Sequence, residues 1–196
     1  HLAAFKYVDL AEKDTISCVN SNLIGSLNIL QESLNKNLDF IIATSTDKAA
    51  KVSGVYGATK FLMEKLFEEF ETLKKETKYR IVRYGNVLYS TGSVLHKWRN
   101  LLRENKEVMV TDLNCTRFYW SIDEAIKLIF DCLENAINSK PYIPEMKSLR
   151  LGDLLKAMSI KYLPKDGKLK IKTIGLRVGE NLHEKLLEGH KDSFES

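Results

Sequence analysis

Cysteine is scarce in this chain. The three present, Cys18, Cys115 and Cys132, are dispersed and show no CxxC spacing. That argues against a disulfide framework or a zinc site and fits a reducing cytoplasm. Long hydrophobic runs are also missing, since none approaches the ~20 residues of a membrane-spanning helix. No signal-peptide pattern stands at the start. No block of basic residues interleaved with aromatics appears; the lysines are scattered among Glu and Asp, and the net charge is only +4. Nucleic acid and membrane are therefore not expected partners. There is no internal repeat and no low-complexity segment. The chain opens on His and not Met, which reads as a piece of a longer protein.

What is present suits a soluble globular protein. The 196 residues are enough for one domain, or for one domain with a small lobe. Hydrophobic residues make up 44% and mean hydropathy is −0.24, both ordinary.

The stretch 45–60, STDKAAKVSGVYGATK, carries the chemistry. It follows an apolar run at 40–44 and leads into a helix. Tyr56 and Lys60 are four apart and share one helix face. A phenol titrates near pH 10, too high for a base at neutral pH, and a nearby ammonium lowers that value. Such a pair can take a proton from a sugar or alcohol hydroxyl as a hydride leaves. The same spacing also fits a plain exposed helix. Asp47 and Lys48 stand just after the strand, at the carboxyl end where open α/β sheets bind ligands. An Asx turn capping a loop is the alternative reading of that Asp.

Periodicity gives the frame. The first four residues read as the exit of a strand. Helices are expected at 15–35, capped by Asp14 or Thr15, then at 55–72, 94–104, 122–138 (capped by Ser121) and 151–159. Strands are expected at 40–44, 79–84, 108–111, 142–143 and 169–174. Residues 115–118 read as a polar turn. The first part has βαβαβ order with connections too long for hairpins, so a parallel sheet with right-handed crossovers is favoured. Some later segments are expected to rejoin that sheet.

Several motifs then occur together and in order: HLAA, SNLIGS, STDKAA, YGATK, RYGNV, TGSV, CTRF and LRVGENLHE. Together they resemble the extended short-chain dehydrogenase/reductases. More narrowly, they resemble the polysaccharide-biosynthesis (CapD-like) group and its inverting UDP-N-acetylglucosamine 4,6-dehydratases of pseudaminic acid type. Several relatives carry Met where this chain has Tyr56, so Tyr56 points to the soluble, pseudaminic-type branch.

The resemblance implies an α/β fold: a Rossmann-like doubly wound parallel sheet, lacking its N-terminal strands, with a smaller mixed α/β substrate lobe. Residues 1–90 would be the C-terminal part of the dinucleotide-binding domain. Residues 91–196 would mainly bind the nucleotide sugar. It implies a cytoplasmic homo-oligomer using NADP, with NAD as the alternative, on a UDP-sugar. The implied reaction is internal redox: hydride leaves sugar carbon 4, water is lost between carbons 5 and 6, and hydride returns at carbon 6. Tyr56 would be the base at the 4-hydroxyl. Lys60 would lower its pKa and hold the nicotinamide ribose. Thr46 would bond the reacting hydroxyl. Asp47 would protonate the departing 6-hydroxyl, and Lys48 would handle the carbon 5 proton with inversion. A close Lys48 keeps Asp47 ionised, so burial would have to raise its pKa for it to act as an acid.

Other positions follow from the same resemblance. Asn22 would support a water relay to Lys60. His1 and Ala3 would line the cofactor. Asn86 would contact sugar or phosphate, and Ser93 and Val94 would offer backbone N–H groups to a diphosphate. Arg117 and Arg177 would hold phosphate through guanidinium forks, and Glu180 would bind the uridine ribose. Taken singly, Asn22 also fits a tolerated helix Asn, Asn86 a turn residue, and either Arg a surface ion pair. Relatives usually carry Arg where this chain has Thr91, and Pro where it has Val178. His183 reads as structural or as a site wall, with no second ligand spaced for zinc.

No GxGxxG or TGxxGxxG run occurs. That phosphate-binding turn is expected upstream, where at roughly 30 residues per βαβ unit about 80 residues would lie. The residue that selects NAD or NADP is expected there too. Three alternatives stay open: a 4-epimerase, a retaining dehydratase, or an inactive fragment lacking the cofactor-binding strands.

Overall fold

The computed structural model describes residues 1–187. Its helices and strands, in chain order, are α1 (Val8–Ala11), α2 (Thr15–Val19), α3 (Gly25–Leu34), β1 (Phe40–Thr46), α4 (Val55–Leu73), β2 (Lys78–Tyr84), β3 (Asn86–Val87), α5 (Val94–Arg103), β4 (Val108–Val110), β5 (Thr116–Trp120), α6 (Ile122–Asn135), β6 (Ser148–Arg150), α7 (Leu151–Tyr162) and β7 (Ile171–Thr173).

β1 and β2 pair in parallel from Phe40↔Lys78 to Thr46↔Tyr84, with α4 as the crossover. The chain start lies along the free side of β1: the His1 nitrogen donates to the Ile42 carbonyl, and Thr44 N–H donates to the His1 carbonyl. On the far side Tyr142 makes a single parallel bridge to Val82, where a short strand was expected. Side chains alternate across the sheet. Ile41, Ala43, Tyr79 and Ile81 meet Leu30, Met63, Phe67 and Phe70 of α3 and α4. Ile42, Val82 and Tyr84 meet Leu128, Ile129 and Cys132 of α6. The sheet is thus covered on both faces, as a parallel sheet must be, and α6 from the second half of the chain supplies one cover. A second core lies among α5, β4 and α7, built on Leu95, Trp98, Leu102, Val108, Val110, Leu155 and Met158.

Two local results differ from the sequence reading. The helix expected at 15–35 is one continuous rod interrupted by a π-turn, Asn20–Ile24. Asp14 is its cap, accepting from Ser17 N–H. The polar turn expected at 115–118 is strand β5, which pairs with both β3 and β6. Its Thr and Arg are polar yet buried, because each has a partner. Ser121 starts α6 with a full capping box to Glu124.

Candidate active site

The site forms where β1 ends. Thr46 is the last strand residue. Its hydroxyl accepts from Lys48 N–H and so caps the single 3-10 turn, Asp47–Ala49. Asp47 is almost wholly buried. Its Oδ1 accepts from the Thr46 hydroxyl at 2.8 Å and from Lys48 Nζ at 3.1 Å. Its Oδ2 is buried with no hydrogen-bond partner among the described residues. α4 packs directly onto this turn. A Cβ at Gly57 would stand 2.5 Å from the Lys48 carbonyl oxygen, so the glycine of YGATK is what admits the helix.

α4 brings Tyr56 and Lys60. Burial pushes the Tyr56 phenol up to about 12, against the pull of the Lys48 ammonium and of a hydrogen bond with Thr46. Lys60 was expected to be the cation acting on Tyr56, and here that cation is Lys48. The Lys60 amine lies under the strand end, 4% exposed, and donates to the Thr44 carbonyl at 3.0 Å. Burial lowers it to about 8, although Glu64 pulls the other way. For Lys48, burial alone would lower the ammonium, but Asp47 and Glu184 outweigh it and the net shift is upward.

Glu184 is the site residue that sequence reading missed. It is fully buried, with Oε1 at 3.6 Å from Lys48 Nζ and 3.9 Å from Arg117 Nε. It stands in the same tail pattern, GENLHE, from which only Glu180 and His183 were singled out. Tyr84 and Tyr119 were also missed. Both line the cleft, and burial raises both phenols, Tyr119 to about 12. They stay protonated at neutral pH.

The cleft encloses about 550 Å³ and is lined by Thr46, Asp47, Lys48, Tyr56, Asn86, Ser93, Val94, Arg117, Arg177, Glu180 and Glu184, among others. That volume is in the range of small-molecule sites. His1 and Ala3 are not on the cleft wall. Leu2 and Ala4 are, as alternation in a strand-like segment requires, and the His1 ring bonds Ser26 Oγ instead. Asn22 is spent as a clamp. Its carboxamide takes Phe5 N–H at 2.7 Å and gives to the Phe5 carbonyl at 2.9 Å and Thr59 Oγ1 at 3.1 Å.

The phosphate-side residues divide. Arg117 is buried, and its guanidinium donates to the Thr116 and Leu182 carbonyls, beside Glu184. It is therefore built into the wall and does not present a free fork. Arg177 is exposed, paired with Asp9 at 3.1 Å, and its backbone N–H donates to Glu180. Ser93 starts α5, but its N–H is taken by the Ser90 carbonyl at 2.9 Å. Asn86 donates to the Phe118 carbonyl at 3.2 Å. His183 bonds Thr116 Oγ1 at 3.0 Å.

The residues present fit the reactive end of a nicotinamide cofactor. An ammonium has three donors; Thr44 O and Met63 Sδ take two from Lys60. The third is left, among the described residues, one helical turn from the Tyr56 phenol. A phosphate cradle is not formed by the described residues.

The model of the polysaccharide biosynthesis protein family matches residues 1–195. The chain belongs to that family. It is 35% identical over 187 residues to the UDP-N-acetylglucosamine 4,6-dehydratase (inverting) of Campylobacter jejuni, covering 94% of this chain and 54% of that protein. A UDP-glucose 4-epimerase of Rickettsia massiliae is 31% identical, with 97% and 56% covered. Among solved structures, Pen from Bacillus thuringiensis superposes with a TM-score of 0.89 at 32% identity, covering 95% of this chain and 59% of that one. The chain thus spans about half the length of the curated relatives it matches. Its fold is the Rossmann-type α/β fold of nucleotide-sugar epimerases and dehydratases. Among the described residues no helix is long and apolar enough to cross a membrane.

Proposed function

We propose that these residues form the catalytic side of a nucleotide-sugar 4,6-dehydratase acting on UDP-N-acetylglucosamine through a 4-keto sugar, with inversion at carbon 5. The observation that carries this is the contiguous Thr46–Asp47–Lys48 cluster in the same cleft as Tyr56. A 4-epimerase needs a Tyr base but no acid–base pair beyond it; the elimination needs both.

A nicotinamide cofactor, NADP or NAD, supplies the hydride acceptor and donor. Lys60 is the residue that would hold it, through the donor left beside Tyr56. Tyr56 takes the proton of the 4-hydroxyl, and Thr46 holds that hydroxyl in place. The Lys48 ammonium opposes the burial that raises the phenol, and so favours the transfer. The resulting 4-ketone acidifies the carbon 5 proton. One proton passing from Lys48 Nζ to Asp47 Oδ1, across their 3.1 Å contact, produces a neutral amine and a neutral acid together. The amine then accepts the carbon 5 proton, and the acid protonates the departing 6-hydroxyl as water. Return of the carbon 5 proton on the opposite face inverts that centre.

Arg177, Glu180, Asn86 and the start of α5 at Ser93 and Val94 are assigned to the nucleotide end, on the strength of their shared cleft wall. Residues 1–90 are assigned mainly to the cofactor and 91–196 mainly to the sugar nucleotide. The three free, buried thiols support a cytoplasmic setting, and a homo-oligomer of pseudaminic-pathway type completes the reading. Incubating the full natural polypeptide with NADP and UDP-N-acetylglucosamine in deuterated water, followed by mass spectrometry, tests it. Loss of one water with deuterium at carbon 5 is expected. An isomer of unchanged composition would make it an epimerase instead.

A further inference from the structure

Glu184 reaches the site on a segment that is fastened at several points. Thr116 N–H donates to the Leu182 carbonyl at 3.1 Å, and His183 forms a parallel bridge with Thr116. Arg117 donates to the same Leu182 carbonyl, and Arg83 Nη1 donates to the Leu186 carbonyl at 2.6 Å. Arg83 is itself held by both carboxylate oxygens of Glu64. The segment is thus an edge added to β5, with Glu184 and Leu186 as its buried residues.

The carboxylate that arrives there is placed oddly for a purely structural one. Oε1 is buried without a hydrogen bond among the described residues, yet it lies between two cations, Lys48 Nζ at 3.6 Å and Arg117 Nε at 3.9 Å. Among the described residues Oε2 takes only a long bond from Asn181, at 3.4 Å. A buried carboxylate kept for the fold would be expected to have its lone pairs closely satisfied. What this geometry does achieve is electrostatic. It sets a second negative charge, in addition to Asp47, within 4 Å of the Lys48 amine.

We propose that Glu184 is a positioning residue for Lys48, holding its amine beside Asp47 and making it a stronger proton acceptor at carbon 5. The inference rests on the dehydratase reading above. The charged and titratable groups around this pair are Asp47 from the turn after β1, Tyr56 from α4, and Arg117 and Tyr119 from β5. Arg117 offsets part of the Glu184 charge, and Asp47 adds to it. Removing the Glu184 charge leaves Lys48 with one carboxylate, so the amine gives up its proton at lower pH and accepts one less strongly. The Tyr56 step at carbon 4 does not require Lys48 to change its protonation, so it is affected far less.

The test is a pH series on the full natural polypeptide with NADP and UDP-N-acetylglucosamine in deuterated water. Carbon 5 deuterium is read by mass spectrometry, and carbon 4 oxidation by the transient absorbance of reduced cofactor. In Glu184→Gln, the maximum of the carbon 5 exchange profile is expected to fall by about 10- to 100-fold, less than the ~10²–10⁴ of a group that transfers the proton itself, with carbon 4 oxidation within about threefold. The acidic limb of the exchange profile is expected to move to lower pH. Glu184→Asp, which keeps the charge but withdraws it by one methylene, should lie between wild type and Gln on both readouts. It carries the test alone if the Gln variant does not fold. Equal loss of both steps with an unmoved limb would mean that Glu184 serves only the fold, and an unchanged exchange rate would mean that it serves nothing here. Absence of carbon 5 deuterium in the wild-type enzyme would overturn the dehydratase reading and this inference together.

Discussion

Gly57 and Lys48 are in backbone contact: a Cβ on the glycine would sit 2.5 Å from the Lys48 carbonyl oxygen. The oxygen is backbone, held in the 3-10 turn that also fixes Asp47, so it has little room to retreat. Gly57→Ala should therefore destabilise the protein by about 1–3 kcal/mol, the usual range for overpacking. This would reverse the ~1 kcal/mol that Ala normally gains over Gly within a helix. Urea unfolding of the two proteins measures the difference, and an Ala variant as stable as the wild type would mean that the helix and turn are further apart.

Under the site, Glu64 and Arg83 form a buried two-point ion pair, 2% and 5% exposed, with Ser45 donating to the same carboxylate. Removing one partner strands the other charge in the interior. Glu64→Gln or Arg83→Met alone should each cost about 3–5 kcal/mol. The double variant Glu64→Gln with Arg83→Met should recover much of that loss, because no unpaired charge remains. A denaturant series on all four proteins gives the coupling directly. If the single and double losses simply add, the pair does not behave as a unit.

Asn22 ties the first residues to the helix bearing Tyr56 and Lys60. Its carboxamide satisfies both the N–H and the carbonyl of Phe5. Asn22→Ala leaves those groups without partners in a place water reaches poorly, at a cost of roughly 1–3 kcal/mol. Hydrogen exchange should show the Phe5 amide losing protection well before the amides of β1 do. Equal protection in both proteins would show that the clamp is redundant.

The parallel sheet, its crossover helix and the Tyr56–Lys60 face could be read from the sequence because local periodicity encodes them. The residues that were misread depend on partners far away in the chain. Thr116 and Arg117 look like a turn until His183, Leu182 and Glu184 are placed against them. Glu184 looks like one more acid in a polar tail until the tail docks on β5. Asn22 was noticed, but its role was not legible, since its partner Phe5 carries no signal beyond its backbone. His1 and Ala3 were placed one residue out of phase, and in a strand-like segment that exchanges wall for back.

Lys60 makes stability depend on pH in a defined window. Its amine is lowered to about 8 in the folded protein, from 10.5. Between those values the unfolded chain holds a proton that the folded one lacks. Stability should therefore rise as pH increases from about 8 to 10, and level off below 8 where both states are protonated. The Tyr56 phenol, raised to about 12, acts only above pH 10, and with the opposite sign. Unfolding free energies at pH 8 and pH 10 should show the rise in the wild type and its loss in Lys60→Met. A wild-type slope that survives the substitution would assign the window to another group.

Asp47→Asn separates the two halves of the proposed reaction. The amide keeps an oxygen to accept from Thr46 and Lys48 but has no acidic proton to give to the 6-hydroxyl. Carbon 4 oxidation should continue, because Tyr56 and Thr46 are untouched. Water loss should slow by about 10²–10⁴-fold, the usual contribution of one general acid. The 4-keto sugar that still carries its 6-hydroxyl should then accumulate, up to the amount of enzyme, with the cofactor left reduced. Rapid-quench mass spectrometry would detect it as a species two hydrogens lighter than the substrate. If the variant neither oxidises carbon 4 nor loses water, Asp47 is needed before elimination begins, and the acid at the 6-hydroxyl must be sought elsewhere in the cleft.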